Sequence, residues 1–220
     1  MQDDLDMAQA GSAAHTGAGV QAHLRTFHAH WAEARRGEAV PYRAHIDPRR
    51  IAPLLPNAFV AERIAPGVTR LRIAGTHLSD LMGMEVRGMP FCSFIAPASR
   101  DAFALALVDL FDRPAALRMD LRSPGGLGRP GLRGSLLMLP LRSDLGDVSR
   151  ALGCLVTTGA AGRTPRRFEI LKTRITPVDE GAETGALRVV AGGRADRTAD
   201  QAKMRAAPAS RAHLRLVTEA

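Results

Sequence analysis

Lysine is nearly missing from this 220-residue chain. Lys172 and Lys203 are the only two, so arginine supplies 28 of the 30 basic side chains. Aromatics are also thin, at seven Phe, one Trp and one Tyr. That composition lacks the interleaved set on which single-stranded bases stack. Cys92 and Cys154 are the only thiols, which excludes a disulfide framework. No apolar run approaches the roughly 18 residues that span a bilayer. The stretch from Met1 to Asp6 carries three aspartates where a secretory signal needs an apolar core. These absences lead us to expect a cytoplasmic protein with no membrane span.

What is present is ordinary for a globular domain: 45% apolar and 24% charged residues, with a formal net charge of +8. The charge is dispersed. Residues 1–22 hold three aspartates and no base, and the remaining bases come singly or in pairs such as Arg35-Arg36 and Arg166-Arg167. No five-residue basic run marks a nucleic-acid patch. Weak nucleic-acid binding through an arginine-rich surface is therefore the less favoured reading, and a solvated surface the expected one.

Val20, Leu24, Phe27 and Trp31 recur at a spacing of four, three and four, which puts all four on one helix face. A short helix of this kind needs a surface. It either covers the domain's own sheet or pairs with its copy in a homodimer. Arg35-Arg36-Gly37 is its expected stop. Asp47-Pro48 opens a second helical turn, with Asp as cap and Pro at the first position. Residues 58–64 and 68–74 read as strands joined by a Pro66-Gly67 turn, with Leu71 and Ile73 sharing one face. A short helix follows, with Leu78, Leu81 and Met82 inward and Gly83 as its left-handed cap. Ser99 is the expected N-cap of a longer helix that buries Phe103, Leu107, Leu110 and Phe111 and stops at Pro114. Residues 116–122, 132–141 and 151–158 read as strands, and 167–176 as an optional further one. Within 116–122, Leu117, Met119 and Leu121 alternate with Arg118, Asp120 and Arg122, which predicts an arginine-bearing face toward solvent. Helices confined to the middle of an antiparallel set give an α+β fold with the helices on one face.

Arg72-Ile73-Ala74-Gly75-Thr76, Gly88-Met89-Pro90-Phe91, the run Phe94-Ile95-Ala96-Pro97 with Arg100, and Leu136 to Leu141 followed by Leu152-Gly153 occur in an order that resembles PAS domains. Asp47-Pro48 and Leu54-Leu55-Pro56 are similar to the helix preceding the first strand in short alphaproteobacterial stand-alone PAS proteins. The resemblance implies a five-stranded antiparallel sheet whose short helices close over a small pocket, with an added N-terminal amphipathic helix. It divides the chain into a flexible acidic leader (1–22), a PAS-like domain (23–178) and a largely flexible basic tail (179–220), in which residues 213–217 could dock as a strand. It would bring Phe91, Phe94, Phe103, Leu107, Leu117, Met119, Met138 and Cys154 around a ligand pocket or a filled core.

Other candidate chemistry is sparse. Gly126, Gly128 and Gly131 spell G-x-G-x-x-G, but Pro130 and an apolar strand follow where a dinucleotide loop needs a helix N-terminus. A hairpin loop is expected. No histidine falls within the longer helix, where haem-binding PAS proteins place their ligand, and His77 is the only pocket-side candidate. Cys92 lies one position away from the reactive cysteine of flavin photoreceptors and lacks its Asn, Arg and Gln neighbours. Haem and covalent flavin are thus disfavoured, and no cysteine–histidine set suggests a metal. No nucleophile elbow occurs. The resemblance implies a non-catalytic sensory or protein-interaction module, homodimeric and paired with a signalling protein. A carrier or enzyme for a small apolar molecule is the alternative.

Overall fold

The computed structural model describes residues 17–178 and the short segment 188–190. Residues 1–16, most of the tail from 179 onward and the docking strand expected at 213–217 lie outside the described residues.

Ala58–Ala65 (β1) and Val68–Ala74 (β2) form the expected hairpin, with Gly67 at a φ of +71° in the turn. Ala115–Ser123 (β3), Leu132–Arg142 (β4), Val148–Thr158 (β5) and Glu169–Pro177 (β6) complete one antiparallel sheet in the order β2-β1-β5-β4-β3-β6. The three-residue Arg188–Val190 (β7) extends the β6 edge. The sheet therefore has six main strands rather than the expected five. The additional one, β6, pairs with β3 from Ala115↔Pro177 to Arg122↔Glu169 and covers what would have been an open edge.

Among the described residues three α-helices accompany the sheet: Gly17–Ala34 (α1), Thr76–Met82 (α2) and Arg100–Asp112 (α3). α1 begins inside the stretch expected to be a flexible leader. It stops where Arg36 and Gly37 take left-handed φ values of +51° and +91°. Asp47 caps the Pro48–Asn57 turns by accepting the Arg49 N–H at 3.0 Å. Pro53 and Pro56 keep those turns 3₁₀. Gly75 precedes α2 because a side chain there would strike the Leu55 and Pro56 carbonyl oxygens. Ser99 occupies the N-cap position of α3 without capping it. Its Oγ accepts the Ile170 N–H at 3.3 Å and ties the helix start to β6.

Helices cover both faces of the sheet, not one. α2, α3 and the Phe91–Phe94 turn lie over an inner face that buries Leu71, Leu117, Met119, Leu136, Met138 and Leu155. α1 and the Pro48–Asn57 turns lie over the outer face, on Leu137, Leu139, Leu141, Leu152, Cys154 and Val156. The residues of β4 explain the second layer. Its run from Leu136 to Leu141 is apolar at every position, so both of its faces must be buried. Fully burying a side chain of this size contributes about 1.5–3 kcal/mol, so the outer set supplies a driving force for seating α1.

One register detail departs from simple alternation. Val60 pairs with Ile73 and Ala61 with Leu71, so Arg72 is the extra residue of a bulge. The bulge puts Leu71 in the inner core and leaves Ile73 half exposed, so the two do not share a face.

Candidate functional site

The inner core holds seven of the eight residues expected around a pocket. Phe91, Phe94, Phe103, Leu107, Leu117, Met119 and Met138 form one buried cluster with Phe59. Their rings pack on one another. Phe91 stacks on Phe59, Phe94 and Phe103 at centroid separations of 4.8, 5.2 and 5.5 Å. Gly153 makes room for this stack, since a Cβ there would run into the Phe59 ring. The structure thus brings these seven residues together, as both expectations, ligand pocket and filled core, require. Phe59 is the member that sequence reading missed. Its signal was Gly153, directly opposite it across the β1–β5 pair.

The eighth residue, Cys154, is not among them. Strand alternation turns it to the outer face, where it lies in the cluster that seats α1. Assigning it to the pocket placed it one face off. Burial pushes its thiol up to about 12, so it is not a nucleophile in the folded chain. Cys92 sits in the Phe91–Phe94 turn, half-buried against the inner core.

Val20, Leu24, Phe27 and Trp31 are all buried against the sheet. The stripe is consumed within the chain, so a dimer that keeps α1 seated would have to use another surface. Trp31 is also held by a hydrogen bond. Its Nε1–H donates to the Pro140 carbonyl at 2.8 Å. His30, beside it, is also buried, and neither ring nitrogen has a hydrogen-bond partner. Burial, helped by the Arg50 guanidinium, holds its pKa below the usual histidine value; Glu33 and Asp47 oppose this in part.

The remaining candidates resolve into structural roles. His77 shares a 3.0 Å hydrogen bond with Thr157 and so ties α2 to β5. Gly126, Gly128 and Gly131 lie in the β3–β4 loop, where Gly126 and Arg129 exchange backbone hydrogen bonds. A strand follows, as a hairpin requires. Many arginines are committed to carboxylates: Arg63 to Asp112 at 2.6 Å, Arg122 to Glu169 at 2.8 Å, Arg113 to Asp109 at 2.6 Å and Arg72 to Glu62. Among the described residues no group of three or more His, Cys, Asp or Glu side chains is placed to hold a metal. Also among them, no helix is long and apolar enough to cross a membrane.

Beside the outer layer runs an apolar groove of about 740 Å³, between the Pro48–Asn57 turns and the β1–β2 hairpin. Ile51, Leu55, Val60 and Ile73 line it. Sequence alternation missed this groove because the Arg72 bulge is what turns Ile73 into it.

A family model described as a PAS domain matches residues 20–156. No curated protein and no solved structure matches the chain. The matched span begins at Val20, so it takes in nearly all of α1 together with β1 to β4 and most of β5; β6 lies beyond it.

Proposed function

The chain belongs to the PAS-domain family, and from that premise we propose that it is a non-catalytic sensory or protein-interaction module in which α1 is the moving part. The observation that carries this reading is the division of the two layers. The inner core holds stacked phenylalanine rings. The outer layer is α1 with the Pro48–Asn57 turns beside it, resting on one face of the sheet. A partner or ligand that prefers the undocked or shifted helix would bias a two-state equilibrium, by no more than its difference in affinity for the two states. The similarity to stand-alone PAS proteins rests on Asp47-Pro48 and Leu54 to Pro56. It supports a module that signals through a separate partner protein.

Hydrogen exchange on the intact chain tests the reading. We expect the α1 amides to exchange by a sub-global opening, ahead of those in β4 and β5. If α1 exchanges only together with the central strands, it is a fixed part of the core and the proposal fails. Fluorescence of Trp31, the only tryptophan, gives a second readout of the same opening.

A further inference from the structure

The strand alternation that predicts a solvent-facing arginine row fails at one place. Arg118 and Arg174 are direct cross-strand partners in the β3–β6 pair. Both point to the outer face, where α1 overhangs them. Like charges placed directly opposite one another destabilise a sheet, and here both are only partly exposed. The compensation around them is incomplete. Asp120 reaches Arg174 at 3.4 Å. Arg118 donates from Nη2 to the neutral Gln21 Oε1 of α1, and its Nε is buried with no hydrogen-bond partner. Burial holds the Arg118 pKa below its usual value; Asp120 opposes this, and Arg174 adds a smaller lowering. Arg25, one helical turn beyond Gln21, lines the same cleft.

The cleft between α1 and the β3–β6 edge has a volume of about 560 Å³, within the range of small-molecule sites. Three arginines and one aspartate line it, against an apolar wall that includes Leu24, Ala116 and Leu137. An oxyanion fits the charge excess of this lining. A planar carboxylate or a phosphate can take two parallel N–H bonds from one guanidinium, and a neutral group cannot match that. The apolar wall suits a short hydrocarbon body.

We infer that this cleft binds a small amphipathic anion, with a carboxylate or phosphate head held by Arg118 and Arg174 and an apolar body against Leu24 and Leu137. The inference stands apart from the sensory reading, since the site is defined whether or not α1 moves. If the anion binds, its position between helix and sheet also favours the seated α1.

The test uses the full-length protein and four probes: hexanoate, hexyl phosphate, inorganic phosphate and neutral hexanol. Calorimetric titration is expected to give saturable binding of hexanoate or hexyl phosphate, with hexanol at least about tenfold weaker, the scale of a lost charge-assisted hydrogen bond. Arg118→Met and Arg174→Met should each weaken that binding by at least about tenfold. Without anion, Arg118→Met should melt no lower than the parent, because it removes a partly buried like-charge contact. That result separates loss of a site from loss of fold. Inorganic phosphate binding as tightly as hexyl phosphate would remove the apolar part of the claim and overturn it as stated. Hexanoate binding unchanged in both variants, or no saturable binding of either alkyl anion, would overturn it outright.

Discussion

Trp31 and Pro140, 109 residues apart, are joined by a 2.8 Å hydrogen bond from the indole N–H to the proline carbonyl. The bond explains two oddities together. A proline inside β4 is tolerated because the β3 ladder ends at Met138, leaving Pro140 paired with β5 alone among the strands. A large aromatic with a polar tip can be buried because that tip finds a carbonyl. Trp31→Phe should keep most of the packing and lose the bond, at about 1–2 kcal/mol. Trp31→Ala should cost about 3–5 kcal/mol, the range for emptying a buried aromatic site. Urea denaturation followed by circular dichroism checks both. Equal losses for the two variants would mean that the hydrogen bond, not the ring, holds the helix.

A pH dependence follows from His30. Its neutral form is favoured in the folded chain by burial and by Arg50, against Glu33 on α1 and Asp47 at the start of the neighbouring turns. In the unfolded chain it titrates near the ordinary histidine value of about 6.5. Between the lowered folded value and that unfolded value, the unfolded chain binds more protons. Stability therefore falls as pH drops through about 6.5, and this group contributes no slope well above it. His28, lowered by burial and then by Arg35, acts in the same direction. His30→Leu should reduce the loss between about pH 7.5 and 5.5 without abolishing it, because His28 remains. An identical pH slope in the variant would show that His30 does not report the seating of α1.

Gly153 and Phe59 offer a cleaner packing test. The Phe59 ring lies over the glycine where any Cβ would go. Gly153→Ala is expected to cost about 1–3 kcal/mol by forcing the ring off its stack with Phe91. Phe59→Leu vacates the same space, so the double variant should lose less than the two single losses combined. Simple additivity would show that the strain at Gly153 is in the backbone and not against the ring.

Much of the fold could be read in advance because local signals agreed. The Asp47-Pro48 start, the Pro66-Gly67 turn and the Gly83 stop each depend on a few neighbouring residues. The stripe from Val20 to Trp31 also read correctly as a helix face. The errors share one cause: a strand's alternation says which residues share a face, not what covers that face. Arg118 alternates with Leu117 and Met119, yet α1 overhangs it. Cys154 is as apolar as its neighbours, and only its parity along β5 turns it away from the phenylalanine stack. The bulge at Arg72 leaves no mark in composition, so Ile73 was placed on the wrong side. Two clues to a second layer were available: the apolar stripe from Val20 to Trp31 and the unbroken apolar run of β4.

Cys154 turns that misplacement into a probe of the proposed motion. It lies under α1 with no exposed surface, and its thiol is pushed up to about 12. In the seated state it should be unreactive, since the thiolate is the attacking species. Cys92, half-buried in its turn against the inner core, is not covered by α1. Labelling of the intact protein with an aromatic disulfide should therefore be fast at Cys92 and slow at Cys154. If α1 opens independently, Trp31→Ala should accelerate labelling at Cys154 by roughly a hundredfold or more, as about 3 kcal/mol is lost from the closed state alone, and leave Cys92 unchanged. Equal acceleration at both thiols would mean that the domain opens only by global unfolding, and α1 could not then act as a separate signalling element.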